Sequence, residues 1–270
     1  MDASLLLGAL LVSSALHAAN SSEEALLPDP PEGYRWRAVE NLSDEFNGDR
    51  LDKKKWIPRH PYWGGRNSRH EAANVSVTKG FLRLKSTLRA GQNEVNASTV
   101  TAACVTSKQR SCEPGYYEAR IKASDLSMTS AFWFQGKRIE IDVIENIGRP
   151  SNKASRWIED NMMMNTHSFS GGWRKDIDTP KQFEMPGKAR DHFYVYGVWW
   201  RDSKTIWFYH NGVKVAELTP GEPFDESQYM FFDTEVFTWH GWPTRDSLLD
   251  SSKNSMYVDW VRAWKLEKTP

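Results

Sequence analysis

The sequence predicts an all-β sandwich, and three observations predict it. From Tyr34 onward, apolar and polar residues alternate in short runs separated by Gly, Pro, Asn and Asp, the pattern of many strands joined by turns. No long amphipathic helix is visible. Asn211-Gly212 stands between the strand-like runs Thr205–His210 and Val213–Leu218, and Asn-Gly supplies the two positive φ angles of a type I′ hairpin turn. At 270 residues one large domain with one core is expected, because sandwiches of this length are routinely single.

At the amino end, residues 3–16 form an apolar run followed by His17-Ala18-Ala19-Asn20, the layout of a secretory signal with a small-residue cleavage site. The run is too short for an ordinary membrane span, and Asp2 stands where a positive n-region is usual. Residues 1–19 are therefore expected to be a signal peptide, residues 20–33, with Pro28, Pro30 and Pro31, a linker, and residues 34–270 the working domain of a secreted or periplasmic monomer. No later stretch is long and apolar enough to cross a membrane. Lys plus Arg and Asp plus Glu number 35 each, so the charge gives no reason to expect nucleic acid or an anionic membrane. Export also allows Cys104 and Cys112 to close a hairpin as a disulfide, with two unpaired thiols as the alternative. Four close ligands for zinc are not in sight.

The stretch Arg138-Ile139-Glu140-Ile141-Asp142-Val143-Ile144-Glu145-Asn146 puts three acids into a strand. Residues i and i+2 share a face, so Glu140 and Asp142 point one way while Ile139, Ile141 and Val143 point into the core. Glu145 joins the acids only if one extra residue is absorbed between it and Asp142, as a β-bulge does. Glu140 and Glu145 are then about four strand steps, roughly 13 Å, apart along the backbone. Leaning together, their carboxyls can approach the ~5 Å separation of retaining glycosidases. Crowded like charges also hold one carboxyl protonated. The alternative is a solvated edge strand carrying three exposed acids.

Glu140-Ile141-Asp142-Val143-Ile144-Glu145 resembles the catalytic signature of glycoside hydrolase family 16, in its form with one extra residue before the last Glu. Leu42-Ser43-Asp44-Glu45-Phe46-Asn47-Gly48 with Leu51-Asp52 and Trp56 agrees, as do Gly115-Tyr116-Tyr117-Glu118-Ala119-Arg120-Ile121-Lys122, Tyr196-Gly197-Val198-Trp199-Trp200 and Tyr257-Val258-Asp259-Trp260-Val261-Arg262. These blocks follow the family's order over residues 42–266. The resemblance implies a jelly roll of two curved antiparallel sheets with the substrate across the concave one. It implies Glu140 as nucleophile, Asp142 as its assistant and Glu145 as general acid/base, with no cofactor for catalysis. Many members hold a structural calcium ion on the convex face, and Glu45 and Asp259 match its ligands; ordinary surface acids are the alternative.

A polysaccharide substrate needs aromatic floors, and 13 Trp, 9 Tyr and 12 Phe exceed the demand of the core. Pro61 and two glycines make Tyr62-Trp63-Gly64-Gly65-Arg66 a loop, and Trp63 and Arg66 match cleft residues of the family's agarases and porphyranases. In Ser130-Ala131-Phe132-Trp133-Phe134-Gln135, alternation places Phe132 and Phe134 in the core and Trp133 in the groove. His167 resembles a family histidine near the acid/base. Glu235 and Trp239 share parity, and a family Glu at this place binds sugar hydroxyls. Taken together these features look most like enzymes that cleave β-1,4 linkages of red-algal galactans. Arg59, Arg66, Arg69, Arg138 and Arg149 are candidates for sulfate esters, which keeps porphyran, furcellaran and carrageenan types beside agarose. A laminarin-type glucanase or transglycosylase uses the same residues. A non-catalytic carbohydrate-binding sandwich is the reading of another class, though such a module has no need of three crowded acids.

Overall fold

The structure is a computed structural model and describes residues 27–270. The expected signal peptide and the first part of the linker lie outside the described residues.

Alternation along the strands sorts their side chains onto two faces, and two eight-stranded antiparallel sheets bury one face of each against the other. The outer sheet runs in the order Val213–Leu218, Thr205–His210, Tyr194–Asp202, Gly115–Lys122, Ser255–Lys268, Phe81–Lys85 and Val75–Thr78, with Tyr34–Ala38 also paired to Ser255–Lys268. The inner, concave sheet runs Ile177–Asp178, Asn161–Ser168, Ile139–Ile147, Thr129–Gln135, Tyr229–Asp233, Cys104–Ser107 and Trp56–Ile57, with Lys181–Glu184 also on Asn161–Ser168. Sequence neighbours often sit in opposite sheets, as a jelly roll requires. The predicted hairpin is present, with Asn211 at φ 48° and Gly212 at φ 77°. The one α-helix among the described residues is Arg245–Leu249, capped by Thr244 and Ser247.

The core between the sheets contains Leu82, Leu84, Ala119, Ile121, Phe132, Phe134, Ile139 and Ile141. Burying such a side chain contributes roughly 1.5–3 kcal/mol. A second aromatic cluster lies outside this core and includes Tyr116, Trp199 and Tyr209, packed against Trp36, Trp207 and Trp264. Arg201 and Lys214 lie over the Trp207 ring at 4.0 and 3.5 Å from its centroid. Much of the aromatic excess is spent here rather than in the groove. Leu27 packs on this cluster and the Pro28 carbonyl accepts the Trp36 indole N–H at 2.7 Å, so the described end of the linker is anchored.

A small third sheet joins Arg69–His70 in parallel to Val100–Ala102, which also pairs with Thr87–Leu88. It holds the Pro61–Ser68 loop against the rim of the concave sheet, with Gly65 at φ 105°. A Cβ on Gly65 would stand 2.9 Å from the Ser68 carbonyl and 3.2 Å from the His70 ring, so the loop closes over that ring only with glycine there.

Candidate active site

The expected bulge is in the Ile139–Ile147 strand. Asp142 pairs with Trp133 and Ile144 with Phe132, which leaves Val143 as the extra residue. Val143 and Ile144 both enter the core, and parity is reset so that Glu140, Asp142 and Glu145 all line one cleft of about 1030 Å³. The row is not an edge, because Thr129–Gln135 and Asn161–Ser168 flank it, and Asp142 at its centre is buried.

Glu140 lies opposite Gln135 on one side and His167 on the other. The Gln135 amide donates to its Oε2 at 2.5 Å. His167 Nε2 is 3.2 Å from Asp142 Oδ2 and 4.0 Å from Glu140 Oε1, while Nδ1 is 2.6 Å from Asp176 Oδ2. Asn165 also turns its NH₂ to Nε2 at 3.0 Å, since its oxygen is committed to the Thr166 and Thr179 amides. Burial opposes a charged ring, but Asp142, then Glu140 and Asp176, raise the imidazole to about 10. Three carboxylates outweigh one amide dipole, so His167 is an imidazolium at neutral pH.

Burial, then the charges of Asp142 and Asp233, lift Glu145 to about 8, against the opposing pull of His167 and Arg66. Burial and Asp142 also raise Glu140 well above its ordinary value, against the pull of His167 and the Gln135 hydrogen bond, which favour its carboxylate. Burial raises Asp142, with His167 opposing. The two glutamates differ in what touches them: Glu140 has a donor and a cation at hand, and Glu145, opposite the small Ala131, has crowding acids.

All six expected binding residues line the same cleft. Trp63, 40 % exposed, meets His60 and His70 edge-on. Arg66 lies over Phe237 and Trp239 at 5.4 and 5.8 Å from their centroids, and its backbone N–H donates to Glu235 Oε1 at 3.0 Å. Trp133 stacks on Phe231 at 4.4 Å and donates to Asp233 Oδ1 at 3.2 Å. Glu235 and Trp239 reach the cleft by another route than strand alternation, because the strand ends at Asp233 and Trp239 sits in the 3-10 turn Thr238–His240.

The cleft also contains His60, Arg110, Gln135, Phe169, Trp173, Asp176, Tyr229 and Asp233, none of which the sequence had assigned to it. Gln135 shares parity with Trp133, and Asp233 with Phe231, which stacks on Trp133, so strand alternation held a signal for both. Arg110, Trp173 and Asp176 come from turns and carry no periodic signal.

Several expectations are corrected. Of the five arginines, only Arg66 lines the cleft. Arg138 pairs with Asp225 at 2.9 Å and Arg149 with Asp125 at 2.5 Å, and Arg59 and Arg69 are exposed outside it. Cys104 and Cys112 are free and buried, Cys104 in a cluster with Trp133 and Phe231 and Cys112 in the main core. They cannot be a bridged hairpin, since Cys104 pairs with Asp233 and Cys112 with Gln228. Glu45 and Asp259 do not fit a calcium ion: each faces a guanidinium, Glu45 that of Arg262 at 2.8 Å and Asp259 that of Arg120 at 2.5 Å.

No helix among the described residues is long and apolar enough to cross a membrane. The family model described as "Beta-porphyranase A-D, GH16 domain" matches residues 36–266. β-Porphyranase E of Zobellia galactanivorans is 35 % identical over 87 % of this chain and 90 % of its own length. β-Porphyranase B of Phocaeicola plebeius is 34 % identical over 89 % of this chain and 88 % of its own. The crystal structure of porphyranase B from Zobellia galactanivorans superposes with a TM-score of 0.79 at 31 % identity, covering 88 % of this chain and 96 % of that one. A bulged acid row on the concave sheet of a jelly roll is thus matched by likeness along nearly the whole domain, and the chain belongs to glycoside hydrolase family 16 and is a glycosidase.

Proposed function

We propose that this protein is an exported, retaining endo-hydrolase of β-1,4 linkages in a sulfated red-algal galactan of the porphyran type. The observation that carries the chemistry is the difference in contacts within the acid row: burial raises both glutamates, but Glu140 accepts the Gln135 amide at 2.5 Å and has His167 4.0 Å away. Glu145 delivers its proton to the leaving oxygen as Glu140 attacks the anomeric carbon and forms a glycosyl-enzyme. Glu145, now a carboxylate, takes a proton from water, and the hydroxyl displaces Glu140. Asp142, paired to His167, holds the imidazolium against Glu140 and so favours the ionised nucleophile. The kinship with β-porphyranases supports the substrate, and Arg66 and Arg110 are cleft cations available to a sulfate ester.

One observation favours neutral agarose as the second reading. The cleft has six acids, Glu140, Asp142, Glu145, Asp176, Asp233 and Glu235, and with His167 committed to Asp142 and Asp176 it leaves only Arg66, Arg110 and Lys137 as cations for sulfate, a sparse set for a densely sulfated chain. Product release from agarose, porphyran, furcellaran, κ-carrageenan and laminarin separates these readings. Release from porphyran, with the β-anomer appearing first by NMR and lost in Glu140→Gln, is the expected result. Release from agarose alone would install the second reading, and binding without release by either protein would leave a carbohydrate-binding sandwich.

A further inference from the structure

Beside the catalytic row, three further groups converge where Asp233 and Glu235 line the cleft. His70 ends the short strand that runs parallel to Val100–Ala102. Asp233 ends the Tyr229–Asp233 strand, and Glu235 follows two residues later, fixed by reciprocal hydrogen bonds of 2.8 Å with Thr129. His70 Nε2 stands 3.6 Å from Glu235 Oε1 and 3.8 Å from Asp233 Oδ2, and one ligand atom from each residue lies within 4.8 Å of the others. Tetrahedral coordination with bonds of about 2.0–2.2 Å separates ligand atoms by roughly 3.4 Å, so only a small contraction is needed.

The imidazole is the telling group. Its side chain is 3 % exposed. The main chain at Thr234 lies near the ring, but neither nitrogen completes a hydrogen bond of normal geometry. A buried polar group left this way is costly. The two carboxylates, by contrast, are each oriented by one donor, Asp233 by the Trp133 indole at 3.2 Å and Glu235 by the Arg66 backbone N–H at 3.0 Å. Such outer hydrogen bonds are what aim metal ligands. We propose that His70, Asp233 and Glu235 form a binding site for one divalent transition-metal ion of the zinc, cobalt or nickel class. One imidazole and two carboxylates suit these ions better than calcium, which takes oxygen ligands alone. The other imidazole among acids in the cleft, His167, has both nitrogens already engaged and offers no free lone pair. Because Asp233 and Glu235 line the cleft, the ion and the substrate compete for Glu235, making the site inhibitory.

The site is tested on the untagged, metal-stripped protein with Zn²⁺ in a calorimeter and Co²⁺ followed by visible absorption, both without substrate, so that the galactan reading can fail separately. The expected result is one ion per chain for wild type and for Glu140→Gln, with affinity reduced at least about 100-fold in His70→Gln and in Glu235→Gln. His192→Gln, on an exposed histidine, leaves binding unchanged. If both ligand variants fail to fold, wild type and Glu140→Gln still decide: nitrogen–oxygen cobalt spectra in both support the site, and loss in Glu140→Gln moves the ion to the catalytic row. Absence of saturable binding by wild type, equal binding in folded His70→Gln and Glu235→Gln, or thiolate-to-cobalt absorption from the nearby Cys104 would each overturn it.

Discussion

A carboxylic acid that donates a proton near neutrality needs surroundings that keep the proton on it, and Glu145 has them in burial and in two neighbouring acids, Asp142 and Asp233. Its raised value sets the alkaline side of the pH–rate profile: the acid form is present below about 8 and is lost as pH rises through that value. His167 is one of the charges that hold the value down. Replacing it by glutamine removes a positive neighbour, so Glu145 keeps its proton to higher pH. The expected profile of His167→Gln has a lower maximum and an alkaline limb moved upward; a limb that stays or moves downward would show that His167 is not the imidazolium argued above. Glu145→Gln is expected to lower the rate by about 10²–10⁴-fold, the usual worth of a general acid, and to spare substrates with good leaving groups.

At the scale of the element, one surplus residue in the catalytic strand, Val143, sets the face of Glu145. Deleting Val143 would remove the bulge and restore continuous pairing with Thr129–Gln135, leaving Glu140, Asp142 and Glu145 at alternate positions on one face. Folded protein that keeps measurable activity is expected from the deletion, and folded protein with none would mean that Val143 is not the surplus residue that sets the face of Glu145. The end of the strand is equally constrained. A Cβ on Gly148 would overlap the Ser124 carbonyl and press on Arg190, so Gly148→Ala is expected to destabilise by about 1–3 kcal/mol, read as a lowered midpoint in urea. The bulge was legible in the sequence, since no unbroken strand puts Glu140, Asp142 and Glu145 on one face. The partners that give those acids different protonation were not. Gln135 and His167 reach Glu140 across two ladders set by tertiary register, and Asp176 and Arg110 arrive on turns whose direction no local pattern specifies. The corrected disulfide failed for a related reason: Cys104 and Cys112 are close in sequence, yet each pairs with a different part of the 228–233 segment.

At the scale of the whole molecule, the acids of this protein are buried in more than one place. Glu118, wholly buried in the outer sheet, accepts the Tyr116 hydroxyl on Oε2 at 3.1 Å, while its Oε1 has no partner. Burial lifts it to about 7 against the pull of the Tyr116 hydrogen bond and Arg262. The sign of the consequence follows from linkage. A carboxyl whose folded value lies above its unfolded value of 4.5 binds its proton more tightly in the folded state. That contribution to stability is complete below about 4.5 and is lost as pH rises through about 7. Asp233, raised to about 7, and Glu145, raised to about 8, act in the same direction, so wild type is expected to lose stability from slightly acid to alkaline pH. Glu118 gives the clearest test because it lies in the sheet that does not form the cleft. Unfolding midpoints of wild type and Glu118→Gln, measured between about pH 5 and 9, are expected to diverge: the variant declines less steeply, because its neutral amide has no proton to lose. Activity per folded molecule stays the same. Parallel declines would mean that Glu118 already shares its charge with Arg262 throughout that range, and the alkaline loss would then belong to the cleft acids alone.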